Sequence, residues 1–184
     1  MAEPVCIAIV GAESTGKTAL AQALAQRLGQ LTGQRCTWVP EHLRAWCTQH
    51  GRTPRIDEQH GIAQAQQAQI EAALADHDWV VCDTTPVMTA VYSKLIFGDS
   101  ALDAPAAAWH RCCQLTLLTA LDLPWVADGL QRDGPQVREP VDAALRGLLD
   151  AHRLHWSRVR GQGPARLAHA LAALAPWLPA EVSD

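Results

Sequence analysis

An α/β protein with a mainly parallel sheet is predicted by three observations. Short apolar runs alternate with helical patterns along the chain. The apolar runs are too short for helices and lean toward Val, Ile, Leu and Thr, as buried parallel strands do. The stretch Gly11-Ala12-Glu13-Ser14-Thr15-Gly16-Lys17-Thr18 fits G-x-x-x-x-G-K-[ST]. That pattern needs a strand before it and a helix after it.

Both flanks meet the requirement. Residues 5–10 read Val-Cys-Ile-Ala-Ile-Val, a buried strand. Residues 18–28 are mostly good helix formers, with Leu20, Leu24 and Leu28 on one face. Gly29 to Gly33 reads as a loop, and residues 36–39 as a second strand. Pro40 and Glu41 end that strand and can open a helix with Pro at its first position. His42 to His50 is a short helix closed by Gly51. Residues 57–76, rich in Ala and Gln, predict a long, mostly polar helix. Residues 79–82 are the third strand, ending in Asp83. Thr84, Thr85 and Pro86 offer the cap and first-turn proline of a helix to about Phe97. A short helix over 105–113 and a fourth strand over 114–119 follow. Residues 122–135 are irregular, with two prolines, two glycines and several charges. A helix over 139–152, a weak strand over 157–160, a turn at 161–164 and a closing helix to Leu174 complete the order.

Composition bounds the function. With 184 residues, 48% hydrophobic and 18% charged, the chain suits one folded domain rather than a disordered one. A net charge of −4 implies no general nucleic-acid surface, so affinity for phosphate must be local. No apolar run reaches the ~18 residues of a membrane span, and the first strand begins too early for a signal peptide. A reduced, cytoplasmic protein with no membrane partner is expected. The six cysteines (6, 36, 47, 82, 112 and 113) include no C-x-x-C pair, so no zinc site is legible from spacing. His152 and His155, lacking a further Cys or His nearby, read as solvated.

The chemistry starts at the loop. Gly11 and Gly16 let it curl so that backbone N–H groups converge on a phosphate, aided by the positive end of the following helix. Glu13, Ser14, Thr15 and Ala19 complete the nucleotide-binding stretch. Lys17 would bridge the β- and γ-phosphates, and the Thr18 hydroxyl would hold Mg²⁺. Asp83, after four apolar residues, has the Walker B pattern of a carboxylate near that ion. It also suits a helix cap, but Thr84 and Thr85 can cap instead. Glu41, ending the second strand, is positioned to accept a substrate hydroxyl proton. On its own it better suits a first-turn acid paired with Arg44, and only its place beside the loop argues for the proton. Arg132 and Arg138 lie on a lid-like segment, about 125–138, where they could meet the departing phosphoryl group.

At these residues the chain resembles the ribosylnicotinamide kinase domain of NadR-type proteins, within the P-loop nucleoside kinases. The Gly11–Thr18 loop, Glu41-x-x-Arg44, Asp83-Thr84 and Trp125-Val-x-Asp128-Gly129-Leu130 carry the resemblance, over about residues 5–175. Gln131 stands where that family often has Arg, with Arg132 next. No H-x-G-H nucleotidyl-transfer motif occurs, so a stand-alone kinase domain is expected. The resemblance implies a three-layer P-loop fold with a parallel five-stranded sheet in the order 2-3-1-4-5. It also implies an adenine border at the loop from Gly161, and ATP, Mg²⁺ and a small nucleoside as ligands. Nicotinamide riboside phosphorylated at its 5′-hydroxyl is the expected reaction. The acceptor is expected between the helices after Glu41 and Asp83, near Arg44, Trp46, Tyr92 and Asp128. Trp46 and Tyr92 also suit the core. Another nucleoside or small alcohol as acceptor, or an ATP-binding switch, fits the same loop.

Overall fold

The computed structural model describes residues 3–127 and 134–178. Five strands, β1 (Val5–Val10), β2 (Cys36–Val39), β3 (Trp79–Asp83), β4 (Leu115–Thr119) and β5 (Trp156–Val159), form one sheet. Its order is β2-β3-β1-β4-β5, and every pairing is parallel. The helices are α1 (Lys17–Thr32), α2 (His42–His50), α3 (Gln59–Asp76), α4 (Pro86–Phe97), α5 (Asp103–His110), α6 (Arg138–Ala151) and α7 (Pro164–Leu174).

Alternation along β1 builds the three layers, because successive side chains leave opposite faces of a strand. Ile7 and Ile9 pack with Leu20, Leu24 and Leu28 of α1 and with Ala170 and Leu174 of α7. Val10 packs on the other face with Val87 and Val91 of α4 and Leu145 and Leu149 of α6. Cys6 shares that second face with Val80, Cys82 and Ile70 of α3. Burial on both faces is why these strands read as continuous apolar runs.

Several boundaries differ from the sequence reading. α1 runs through Gly29 to Thr32 and stops only at Gly33, whose φ of 67° closes it with a bond to the Gly29 carbonyl. Pro40 stands before α2 rather than in its first turn, and Glu41 is the residue that caps it, in an extended conformation. The segment 57–58 belongs to a 3₁₀ turn, Ile56–Glu58, ahead of α3. No helix among the described residues is long and apolar enough to cross a membrane.

Candidate active site

β1 sits between β3 and β4, so the connections leaving β1 and β3 diverge at its carboxyl end. Such a switch point is where open α/β sheets bind ligands. The Gly11–Thr18 loop emerges there. Gly11 has φ 153°, Ser14 φ 54° and Gly16 φ 74°. These alternating hands turn successive N–H groups to one side, the geometry of an anion nest. A Cβ at Gly11 would run into the Thr119 hydroxyl, so the loop can pass β4 only without one.

The loop is braced from below. Thr15 Oγ1 donates to Ala12 O at 2.8 Å and accepts from Thr119 Oγ1 at 2.7 Å. Arg166, at the start of α7, is 3% exposed; its guanidinium donates to Thr15 O, to Gly161 O at 2.7 Å and to the Asp122 carboxylate. Asp122 also accepts from Gly161 N at 2.8 Å. The loop after β5 is thereby joined to the Gly11–Thr18 loop. Arg166 carried no motif and was missed in the sequence, since its partners lie up to 151 residues away.

Lys17 Nζ donates to Ala12 O at 2.8 Å, curled over its own loop. Thr18 Oγ1 donates to Asp83 Oδ2 at 2.5 Å, bringing the two expected metal-holding residues together. Asp83 is 2% exposed, and its other oxygen has no hydrogen-bond partner among the described residues. Burial pushes its carboxyl above the usual range, against the opposing pull of the Thr18 hydroxyl and the Lys17 and Arg44 charges. The next residue, Thr84, is held at φ 70°, an outlier for a β-branched side chain and a strain common beside working groups. Thr85 caps α4 by position, yet its hydroxyl pairs with His110 Nδ1 at 2.9 Å. His110 meets Thr116 on its other nitrogen, and burial lowers its pKa to about 4, so it stays neutral.

Glu41 is placed by Gln66, a buried residue of α3. The Gln66 side chain accepts from His42 N at 2.6 Å and donates to Pro40 O at 3.2 Å, gripping the backbone on either side of Glu41. Arg44 Nε stands 3.9 Å from the Glu41 carboxylate. Nothing in the Gln-rich run singled out Gln66.

Three hollows adjoin along the carboxyl edge of the sheet. A cleft of about 510 Å³ is bounded by residues 14–19, Arg44, the 123–127 segment and Gln162. A small hollow of about 40 Å³ lies among Glu13, Lys17, Glu41, Arg44 and Tyr92. Beyond it, a mostly apolar cavity of about 580 Å³ is walled by Leu43, Ile56, Tyr92, Ile96 and Phe97, with Glu13, Arg55 and Asp57 at its polar points. Glu13 and Tyr92 border both of the last two. Thr18, Glu41, Arg44 and Asp83 also share the wall of a separate hollow beneath α2.

Several expected residues fall elsewhere. Trp46 does not line the apolar cavity. It packs beside Leu43, Cys47 and Ile62, stacks on His50 at 3.9 Å, and carries Arg52 over its ring. Arg138 is not on an exposed lid: it opens α6, is 8% exposed, and donates to Leu123 O at 2.9 Å. Asp128 and Arg132 lie outside the described residues. Gly161 is turned toward Asp122 and Arg166, while its neighbour Gln162 borders the cleft. Ser14 Oγ donates to Val126 O at 2.6 Å, drawing the segment after β4 over the loop.

The fold and this loop define a P-loop nucleotide-binding protein of the α/β class. More particularly, the chain belongs to the AAA_28 family, described as an AAA domain, whose model matches residues 6–166. No curated protein matches the sequence. Among solved structures, it is similar to a NadR protein in complex with NR, at 18% identity and TM-score 0.79, over 96% of this chain and 52% of that one. It is also similar to a NadR protein in complex with NAD and AMP-PNP, at 18% identity and TM-score 0.73, over 96% and 50%. A thymidylate kinase from Ehrlichia chaffeensis matches at 13% identity and TM-score 0.67, over 94% and 99%. The chain thus spans about half the length of the NadR chains. These likenesses establish a shared fold, with the sheet order given above.

Proposed function

We propose that the chain is an ATP- and Mg²⁺-dependent kinase that phosphorylates the 5′-hydroxyl of nicotinamide riboside, yielding nicotinamide mononucleotide in the cytoplasm. The observation that carries this reading is the row of three hollows, with Lys17, Glu41 and Arg44 around the smallest. Two compartments of ligand size meeting at a constriction suit a donor, an acceptor and the phosphoryl group between them.

The residues fit the nucleotide and the ion. The loop offers an anion nest, and the Asp83 oxygen that lacks a partner among the described residues, beside Thr18, suits a cation. Thr18 and Asp83 would hold Mg²⁺, which supplies neutralising charge to the β- and γ-phosphate oxygens. Lys17 would leave Ala12 O for those oxygens. Glu41 would orient the acceptor hydroxyl and take its proton as the oxygen bonds to phosphorus and the bond to ADP breaks. Arg44 would balance the charge, and Arg138, whose Nε and one terminal nitrogen are buried without partners among the described residues, has donors to spare.

The acceptor is argued from the cavity and from the resemblance. Tyr92 gives an aromatic wall, and Glu13 gives negative charge near a cationic pyridinium ring, while Asp57 is paired with Arg55. Cation–π attraction contributes about 0.5–2 kcal/mol. The similar NadR structure in complex with NR agrees with this choice. The test compares kcat/KM for nicotinamide riboside, uridine, cytidine, adenosine and thymidine at fixed ATP and Mg²⁺. Nicotinamide riboside should be preferred clearly. Preference for another nucleoside would replace the acceptor and keep the kinase. ATP turnover indifferent to all five would remove the nucleoside-kinase reading.

A further inference from the structure

The end of the sheet opposite the phosphate loop holds a group of thiols that the proposed reaction does not use. Cys6 is the second residue of β1, about 16 Å along the strand from Gly11 at the usual rise per residue. Cys112 and Cys113 follow α5 in the turn that leads into β4. The three sulfurs lie within 4.8 Å of one another. Cys6 Sγ is 3.3 Å from Cys113 Sγ and 3.7 Å from Cys82 Sγ. All are free thiols.

The backbone holds this arrangement. Cys6 N donates to Gln114 Oε1 at 2.7 Å, and Gln114 N returns a bond to Cys6 O at 2.9 Å. Cys113 N donates to His110 O at 2.9 Å and Cys112 N to Trp109 O at 3.1 Å, fixing the turn. His110 is itself locked between Thr85 and Thr116. Three sulfurs so placed need little reorganisation to face one centre. With Zn–S at about 2.3 Å, sulfurs around one tetrahedral ion stand about 3.8 Å apart. The observed spacing brackets that value. Cys6 is buried and Cys113 half-buried, while Cys112 is exposed and gives an ion a way in.

We propose that Cys6, Cys112 and Cys113 form a three-thiolate site for one soft, thiophilic cation of the zinc class. The thiols still protonated release their protons to solvent as the ion binds, so uptake acidifies a weakly buffered solution. Oxygen-rich sites suit magnesium and three sulfurs do not, which separates this ion from the one expected at Thr18 and Asp83. The ion would pin β1 to the α5–β4 turn, so its action is on stability.

The test uses reduced, chelator-stripped full chain. Co²⁺ is titrated as a spectroscopic stand-in, and Zn²⁺ is then competed against a chromophoric chelator, for the parent, Cys112→Ser, Cys113→Ser and Cys36→Ser. One equivalent of Co²⁺ should give a thiolate-to-cobalt charge-transfer band that Zn²⁺ displaces. Cys36→Ser, outside the group, should keep it. Cys112→Ser and Cys113→Ser should weaken binding about tenfold or more, the equivalent of 1.4 kcal/mol. Zn²⁺ should raise the melting temperature of the parent more than that of Cys112→Ser. Because Cys112 is exposed, its variant should fold, which a far-ultraviolet circular dichroism spectrum checks. A missing thiolate band, or equal binding by the parent and Cys112→Ser, would overturn the site.

Discussion

Replacing Asp83 by Asn should make the nucleotide-free protein more stable while removing its response to Mg²⁺. The side chain is buried, Oδ2 accepts from Thr18 at 2.5 Å, and Oδ1 has no partner among the described residues. Asn keeps the shape and removes the charge. A buried polar atom without a partner costs about 1–3 kcal/mol, and more when charged. The amide nitrogen that takes the place of Oδ1 still lacks a partner there, so only the extra cost of the charge is relieved, and against that relief stands the weaker bond from Thr18 to a neutral acceptor, a loss of about 1 kcal/mol. A net gain of about 1 kcal/mol remains, which is about 2–4 °C for a chain of this size. The sign with pH follows from the same burial. The folded-state pKa is raised above the ordinary 3.8, so the native state binds the proton more tightly than the unfolded chain. Nucleotide-free stability from this group is therefore greatest below the ordinary carboxylate range, and it falls as pH rises through the raised value. Asp83→Asn should lack that fall. Differential scanning calorimetry, with and without nucleotide and Mg²⁺, reads both effects. The parent should gain about 2.7 kcal/mol at a hundredfold excess of Mg²⁺–nucleotide over its Kd. The variant should gain only what nucleotide alone gives. A nucleotide-free variant that melts below the parent, or an undiminished Mg²⁺ increment, would refute the reasoning.

Lys17→Ala should leave the fold intact and lower ATP use about tenfold to over a hundredfold, as loss of a charge-assisted bond worth roughly 1.5–3 kcal/mol implies; steady-state kinetics and circular dichroism check this. Gln66→Leu should release the backbone around Glu41, lowering kcat several-fold with little change in KM for ATP, and should destabilise the fold by about 1–3 kcal/mol. Equal loss at the ATP site would assign Gln66 a merely global role. Glu58 holds Arg52 at 2.6 and 2.7 Å and caps the Arg55 backbone, and these bonds lower its pKa to about 2. Its support for the cavity rim is thus full above the ordinary value of 4.5 and is lost as pH falls toward 2. Glu58→Gln should raise KM for the acceptor more than for ATP, and hydrogen exchange across 51–58 should quicken.

Local patterns made much of this molecule legible in advance. The central strands β1, β3 and β4 were readable because a strand buried on both faces is mostly apolar, and the phosphate loop because its backbone turns demand glycine at fixed places. Asp83 was visible as the charge that ends an apolar run, and the structure sets it against Thr18. α1 outran its predicted end because a glycine in a helix costs only about 0.5–1 kcal/mol, and the left-handed turn that closes the helix comes only at Gly33.

What tertiary structure alone decided depends on contacts far apart in the chain. Trp46 and Tyr92 looked alike in sequence, but the rotation of each helix sends Tyr92 to the cavity and Trp46 against Leu43, Cys47 and Ile62. Arg138 sits in a segment rich in loop formers, yet it is the first residue of α6 and is covered by the segment after β4. Arg166 and Gln66 do their work by gripping backbone carried by other elements, and such roles leave no mark in local spacing. The cysteines follow the same logic. Cys6 meets Cys113 across 107 residues because parallel pairing sets β1 beside β4, so no count of sequence spacing could have joined them.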